Sequence, residues 1–396
     1  ENRRRDFAGN RRVRSGDTHS PVTGSGWRTT AAIAGIVALF VLGSVVSRYL
    51  YPDRPPVVQV LSGSTMGTTW TAKLVVPNGA VALVEAARDS IVARLDGVNA
   101  SMSTWDPESE ISRFNRSVSV EPFPVSAEFV DVIRRAETVS QATDGAFDVT
   151  VAPLVPLWGF GADGIAGEPA DPVAVPAVMA HVGYAKLRIG DDGQSLSKAD
   201  PELSIDLSAI AKGYGVDRAA EALSSMGLAA YAVEVGGEIR ARGRKPDGTA
   251  WLVGIEAPNP AARTVLRSIP LLDASVATSG DYRNFYESSG IRYAHIVDPR
   301  TGSPVLWQGF SVTVIHPSAT LADAWATGLS VLGPAEGIAL ADREGLAVLF
   351  VLPDGEGGYR ELPSEAWDSD VEGGKASTAA RAQIPITNGM TAAGMS

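Results

Sequence analysis

Three stretches of this chain carry residue types at spacings suited to phosphate and metal chemistry. In Asp323-Ala324-Trp325-Ala326-Thr327 a carboxylate and a hydroxyl stand four positions apart, which on a helix puts them on one face. Hard oxygen donors without His or Cys suit magnesium, which keeps several waters and bridges substrate phosphates. The pair fits equally an acidic residue near a helix start beside a surface threonine. In Asp206-Leu207-Ser208-Ala209-Ile210-Ala211-Lys212-Gly213-Tyr214-Gly215 two glycines fall inside a predicted helix. Each costs ~1 kcal/mol relative to alanine, a cost tolerated where a backbone or ligand must come close. Lys212 lies one turn beyond Ser208, near the positive end of that helix, where a phosphate is favoured. An ordinary amphipathic helix with a solvated lysine explains the same residues. Third, Ala277-Thr278-Ser279-Gly280-Asp281-Tyr282 precedes Ala294-His295-Ile296-Val297-Asp298-Pro299-Arg300-Thr301-Gly302. Small residues, then a strand with one histidine and an Asp-Pro-x-x-Gly turn, fit a substrate rim. A satisfied structural histidine is the plainer reading of His295, and His19, His181 and His316 have only that reading.

Elements to position these groups follow from periodicity. Thr68–Leu74 is predicted as a strand, and a helix follows with Val84, Ile91, Leu95 and Val98 on one stripe. A second helix is expected over 127–143, capped by Ser126 and ending before Gly145. A third runs from Ser208 to about Met226. Tyr231, Val233 and Val235 alternate up to Gly236-Gly237, and Glu238-Ile239-Arg240 resumes, a hairpin signature. Further strands are expected at Trp251–Ile255, Arg292–Val297, Ser311–Ile315 and Leu346–Val351, with a helix from Leu321 to Leu332. Hairpin strands with segregated helices predict an α+β fold of mixed or antiparallel sheets with packed helices.

The chain has 396 residues, 45% apolar and 20% charged, enough for a sizeable core. It has no cysteine, which excludes disulfides, thiolate metal sites and cysteine nucleophiles. Four histidines make an all-histidine metal cage a poor fit. The formal charge is −11, and residues 1–28 hold seven arginines against three acids, so the remainder is strongly acidic. An acidic body argues against nucleic acid as a partner. Gly159-Phe160-Gly161-Ala162-Asp163-Gly164 matches a dinucleotide fingerprint, but the Pro-rich Gly167–Pro172 that follows cannot open the required helix. Asn99-Ala100-Ser101 is a formal glycosylation triplet with negligible information.

Residues 29–47 carry no charge over 19 positions, enough to span a ~30 Å hydrocarbon core. The expected organisation is a basic cytoplasmic tail at 1–28, a transmembrane anchor at 29–51 and a linker at 52–60. A folded domain at 61–367 and a disordered tail at 368–396 follow. Arginine excess before the apolar run predicts a single-pass inner or plasma membrane protein with its body on the extracytoplasmic side; a cleaved signal peptide is the rival.

Taken together, the motifs resemble the ApbE-type FAD:protein FMN transferase family. The likeness runs in order through Met66-Gly67-Thr68-Thr69, Ser103-Thr104-Trp105, Asp144–Asp148, Ile205–Lys212, Glu234–Gly237, Ser279–Tyr282, His295–Gly302 and Asp323–Leu329. It implies FAD in a cleft formed by Met66, Ser103, Thr104, Trp105, Ala146, Phe147, Asp148, Asp206, Lys212, His295 and Val297. It also implies Mg²⁺ held by Asp323, Thr327 and the backbone oxygen of Ala209. Two positions depart from the pattern: Trp105 stands where tyrosine is common, and Ala326 where some members have aspartate. The implied reaction moves FMN from FAD to a Ser or Thr hydroxyl of an acceptor redox protein, releasing AMP. His295 would orient or deprotonate the hydroxyl, and Asp323 would act through the metal. No acceptor motif occurs in the chain itself; Asp273–Thr278 has valine at the acceptor position. An Mg²⁺-dependent FAD pyrophosphatase and a non-enzymatic extracytoplasmic flavin-binding protein are the alternatives.

Overall fold

A computed structural model describes residues 55–160, 169–259, 264–280, 285–306 and 308–368. The expected basic tail, membrane anchor and most of the C-terminal tail lie outside the described residues, as do Asp281 and Tyr282. Among the described residues no helix is long and apolar enough to cross a membrane.

The strands in chain order are β1 (Val57–Thr65), β2 (Thr68–Val76), β3 (Phe123–Pro124), β4 (Leu187–Ile189), β5 (Ser195–Lys198), β6 (Tyr231–Val235), β7 (Glu238–Arg242) and β8 (Trp251–Glu256). There follow β9 (Val265–Leu271), β10 (Ala274–Gly280), β11 (Phe285–Ser288), β12 (Ile291–Asp298), β13 (Ser303–Leu306), β14 (Ser311–His316), β15 (Ala347–Pro353) and β16 (Tyr359–Pro363). The main helices are α1 (Val81–Met102), α2 (Glu110–Arg116), α3 (Ala127–Ala142), α4 (Ala211–Ser225) and α5 (Ala319–Glu344). Eight strands form one sheet in the order β1-β2-β6-β7-β10-β14-β15-β16. Every strand pairing among the described residues is antiparallel. β12 is the middle strand of a separate three-stranded sheet with β11 and β13.

Alternation along the strands divides the core, because successive side chains point to opposite faces. Val348 and Phe350 of β15 pack with α3 and α5, whereas Leu349 and Val351 pack with Trp251 and Ile269 of the β8–β9 hairpin. With both faces covered, β15 reads as an unbroken apolar run, as a fully buried strand must. α1 and α4 bury Ile91, Leu95, Val216 and Leu223 against Trp70, Leu74 and Val233 of the sheet's other half.

Several expected boundaries moved, for identifiable reasons. β1 begins at Val57, inside the stretch read as linker. α4 begins at Ala211 rather than Ser208, because the Asp206 carboxylate takes the Ser208 N–H at 2.7 Å and its hydroxyl at 2.6 Å, holding a turn there. α5 continues past Leu332 to Glu344 through a break at Gly333 (φ 74°), after which Pro334 starts the second half. The Ala277–Gly280 stretch, expected as a rim, is the end of the central strand β10. Its small side chains hid the strand pattern, and they let α5 pack closely over it.

Candidate active site

The ends of β10 and β12, the start of α4 and the first turns of α5 surround a cleft of about 680 Å³. Of the residues expected there, Thr104, Trp105, Ala146, Phe147, Asp148, Asp206, Ala209, Lys212, His295, Val297, Asp323 and Thr327 all line it. They come from segments spread over more than 200 positions of sequence, and the fold brings them together.

Asp323 anchors the polar end. It is 2% exposed, and its Oδ2 accepts the Gly213 N–H at 2.9 Å. Oδ1 stands 3.8 Å from Lys212 Nζ. Lys212 in turn reaches Glu238 Oε1 at 2.6 Å. One ammonium thus serves two carboxylates. Burial raises the Asp323 pKa, opposed by Lys212 and by the Gly213 amide. Burial and the nearby Asp323 charge raise that of Glu238. Burial alone would depress Lys212, but the two carboxylates hold it charged, well above the usual lysine range. Lys212 is therefore not the solvated helix residue that the sequence also allowed.

One turn beyond Asp323, Thr327 Oγ1 lies 3.3 Å from Ser279 Oγ on β10. Asp323, Thr327 and Ala209 all line the cleft, and the donors they can offer a cation there are hard oxygens; Asp323 Oδ2 takes the Gly213 amide while Oδ1 faces Lys212. That chemistry fits Mg²⁺ and not a soft or imidazole-seeking metal.

The apolar side of the cleft includes Phe147, Val149, Val151, Val155, Phe160 and Ile296, room for a ring system. The pairing of β12 with β13 shifts register between Tyr293 and Val297. Such an irregularity re-aims side chains, and His295, Ile296 and Val297 all reach the cleft. Trp105 lines the cleft and is 70% exposed.

Residues 66–350 match the ApbE family. The chain belongs to the ApbE family. A curated relative from Vibrio cholerae, an FAD:protein FMN transferase, is 43% identical over 321 residues, covering 80% of this chain and 93% of that protein. The FAD:protein FMN transferase of Escherichia coli K12 is 38% identical over 307 residues, covering 76% of this chain and 85% of that protein. Among solved structures, the flavin transferase ApbE from Vibrio cholerae superposes with a TM-score of 0.71 at 41% identity, covering 80% of this chain and 99% of that one. The apo flavinyl transferase ApbE of Pseudomonas stutzeri gives 0.72 at 36% identity, covering 80% and 98%.

Within this ApbE-family cleft some expected residues hold other positions. Met66 does not line the cavity. It occupies the β1–β2 turn with φ 47° and packs toward Gly215 and the α1 core. Ser103 is also off the cavity; it ends α1, and its carbonyl accepts the Ser109 hydroxyl at 2.7 Å. Asp148 lines the cleft, but its carboxylate is engaged by the Thr150 N–H and hydroxyl and by the Tyr184 N–H, at 2.6 to 2.8 Å. It shapes the Phe147–Val149 wall. Ala326 is fully buried in the core, facing away from the cavity.

Sequence reasoning missed Glu238, the counter-ion of Lys212. The one available signal was a charged residue opening a strand at a core-facing position, directly opposite Val235. Gly236 and Gly237, both at positive φ, make the tight turn that places it. A Cβ on Gly236 would stand 3.2 Å from Lys212 Cδ, so the turn also leaves room for the lysine stem.

Proposed function

We propose that this protein transfers FMN from FAD to a Ser or Thr hydroxyl of an acceptor protein, releasing AMP, with Mg²⁺ as cofactor. The observation that carries the reading is the single cleft in which a hard-oxygen edge (Asp323, Thr327, Ala209), a lysine and a histidine line one cavity with an apolar wall. The family membership and the names of the relatives support it.

The acceptor oxygen bonds to the phosphorus on the FMN side of the pyrophosphate, the bond from that phosphorus to the bridging oxygen breaks, and AMP leaves with the bridging oxygen. His295 takes the hydroxyl proton, since imidazole has a pKa suited to base work near neutrality. Lys212 supplies a positive charge to the pyrophosphate, and Glu238 holds that ammonium in place meanwhile. Asp323 and Thr327, with the Ala209 carbonyl, would hold Mg²⁺, which when bound neutralises charge developing on the leaving phosphate. Phe147 and Trp105 orient the ring systems, so most of the chain's contribution is positioning.

Residues 29–47 serve as the tether and the body works outside the cytoplasm, a reading supported by the arginine excess before an uncharged run. A reporter fused at Asp368 that is active only in the cytoplasm would refute it.

Incubating the protein with FAD, Mg²⁺ and an acceptor flavin domain tests the activity. Covalently fluorescent acceptor plus AMP is the expected result. Free FMN plus AMP would mean a pyrophosphatase, and unchanged FAD a binding protein.

A further inference from the structure

Asp217 lies on α4 one turn beyond Gly213, on the same helix face. It is 4% exposed and does not line the cleft. Its carboxylate accepts the Ser318 hydroxyl at 2.7 Å, the Ala319 N–H at 3.0 Å, the Thr320 N–H at 3.0 Å and the Thr320 hydroxyl at 2.7 Å. The Arg240 guanidinium binds it as well. Ala319 and Thr320 open α5, the helix that carries Asp323 and Thr327. Ser318 is the local cap of that helix and takes only the Leu321 N–H. Helix starts leave four amides without partners. Asp217 supplies two of them from another helix and adds negative charge at the positive end.

Two sets of hydrogen bonds therefore join the helices, beside the Lys212–Asp323 ion pair. Gly213 meets Asp323, and four residues on, Asp217 meets Ala319 and Thr320, four and three residues before Asp323. A single link would let α5 pivot about it; two links, one helical turn apart, fix both its height and its rotation.

We propose that Asp217 is a positioning residue of the transfer site: it locks α5 against α4 so that Asp323 meets the Gly213 amide and the Asp323–Thr327 edge faces the cleft. The proposal rests on the functional reading above.

The test uses the full chain with Asp217→Asn and Asp217→Glu. Ile269→Ala on β9 serves as a control, since it destabilises the far side of the sheet. Hydrogen exchange of residues 319–327 is read without ligand, together with the Mg²⁺ half-saturation of FMN transfer and the unfolding midpoint. Asp217→Asn should expose the 319–323 amides while those of α3 stay protected. It should raise the Mg²⁺ half-saturation about tenfold, as loss of supports behind metal ligands does. Asp217→Glu should recover part of both, and Ile269→Ala should change neither. If Asp217→Asn loses stability like the control with unchanged Mg²⁺ half-saturation and no selective exposure of 319–323, the proposal is overturned. Should Asp217→Asn fail to fold, Thr320→Val removes one donor to Asp217 and decides by the same readouts. A parental chain that transfers no FMN would refute the functional reading instead, and exchange at 319–323 would still decide whether Asp217 locks the helix.

Discussion

Gly213 donates its backbone N–H to Asp323 Oδ2 at 2.9 Å, joining residues 110 positions apart. A Cβ at position 213 would stand 2.2 Å from the Ala319 carbonyl oxygen and 2.8 Å from the Asp323 Cβ. Glycine is required there by the approach of α5, since its backbone conformation is that of an ordinary helix. Gly213→Ala should push the two helices apart at a cost of about 1–3 kcal/mol, and it should carry Asp323 away from the cleft. Urea unfolding and FMN transfer should both fall. A variant with parental midpoint and rate would show that the contact yields freely.

Asp323 is the only carboxylate placed among the hard-oxygen donors. Asp323→Asn keeps shape and the bond from Gly213 but removes the charge, and neither Thr327 nor a carbonyl can replace it. In a partly dry cleft that Coulomb interaction is worth several kcal/mol in gross magnitude, so transfer should drop by orders of magnitude and recover partly in excess Mg²⁺. FAD affinity without metal should change little. A parental rate across a magnesium titration would rule out Asp323 as a ligand.

Lys212→Ala should destabilise the protein as well as weaken FAD binding. Without the ammonium, Glu238 and Asp323, each 2% exposed, lose their shared counter-ion. Breaking such a pair costs about 3 kcal/mol at most here, since about a third of the lysine side chain remains open to water. The sign with pH is fixed. The two carboxylates already have pKa values raised above their unfolded ones. Removing Lys212 raises them further, so stability is retained at low pH and lost as pH rises through the folded values. The deficit relative to the parent should be larger at pH 8 than at pH 5 in denaturant titrations. An equal deficit at both would mean the pair is not electrostatically coupled.

What the sequence made legible follows from where the information is local. Helices α1 and α3 and the β6–β7 hairpin announce themselves by period, cap and turn, and Ser126 does accept the Phe129 N–H. The i, i+4 placement of Asp323 and Thr327 likewise follows from helix geometry. Glu238 and Asp217 were not legible, because their meaning lies in partners 26 and about 100 residues away. β10 was hidden by its composition: Ala, Ser and Gly fill five of its seven positions and dilute the strand signal of Val276 and Thr278, and only its neighbours β7 and β14 make it central.

His316 ends β14 just before α5, 7% exposed, and accepts the Ser318 N–H at Nδ1 at 3.0 Å. Burial pushes its pKa down to about 4; the Asp217 charge works against that, and Arg135 and Arg240 work with it. The unfolded chain takes up the proton first, near 6.5, while the folded ring stays neutral. Between about 6.5 and 4 the unfolded state binds more protons, so stability is lost as pH falls through that window. The loss attributable to this ring over the whole window is on the order of 3 kcal/mol. His316→Gln can keep an acceptor for Ser318 but cannot titrate. Glu238 and Asp323, whose carboxyl pKa values are raised, contribute with the opposite sign, but they are common to both proteins and cancel in the difference. The parent should therefore lose more stability than His316→Gln between pH 7 and pH 5 in urea titrations. Parallel losses in the two proteins would show that the folded and unfolded chains protonate this imidazole alike, so that the start of α5 tolerates its charge.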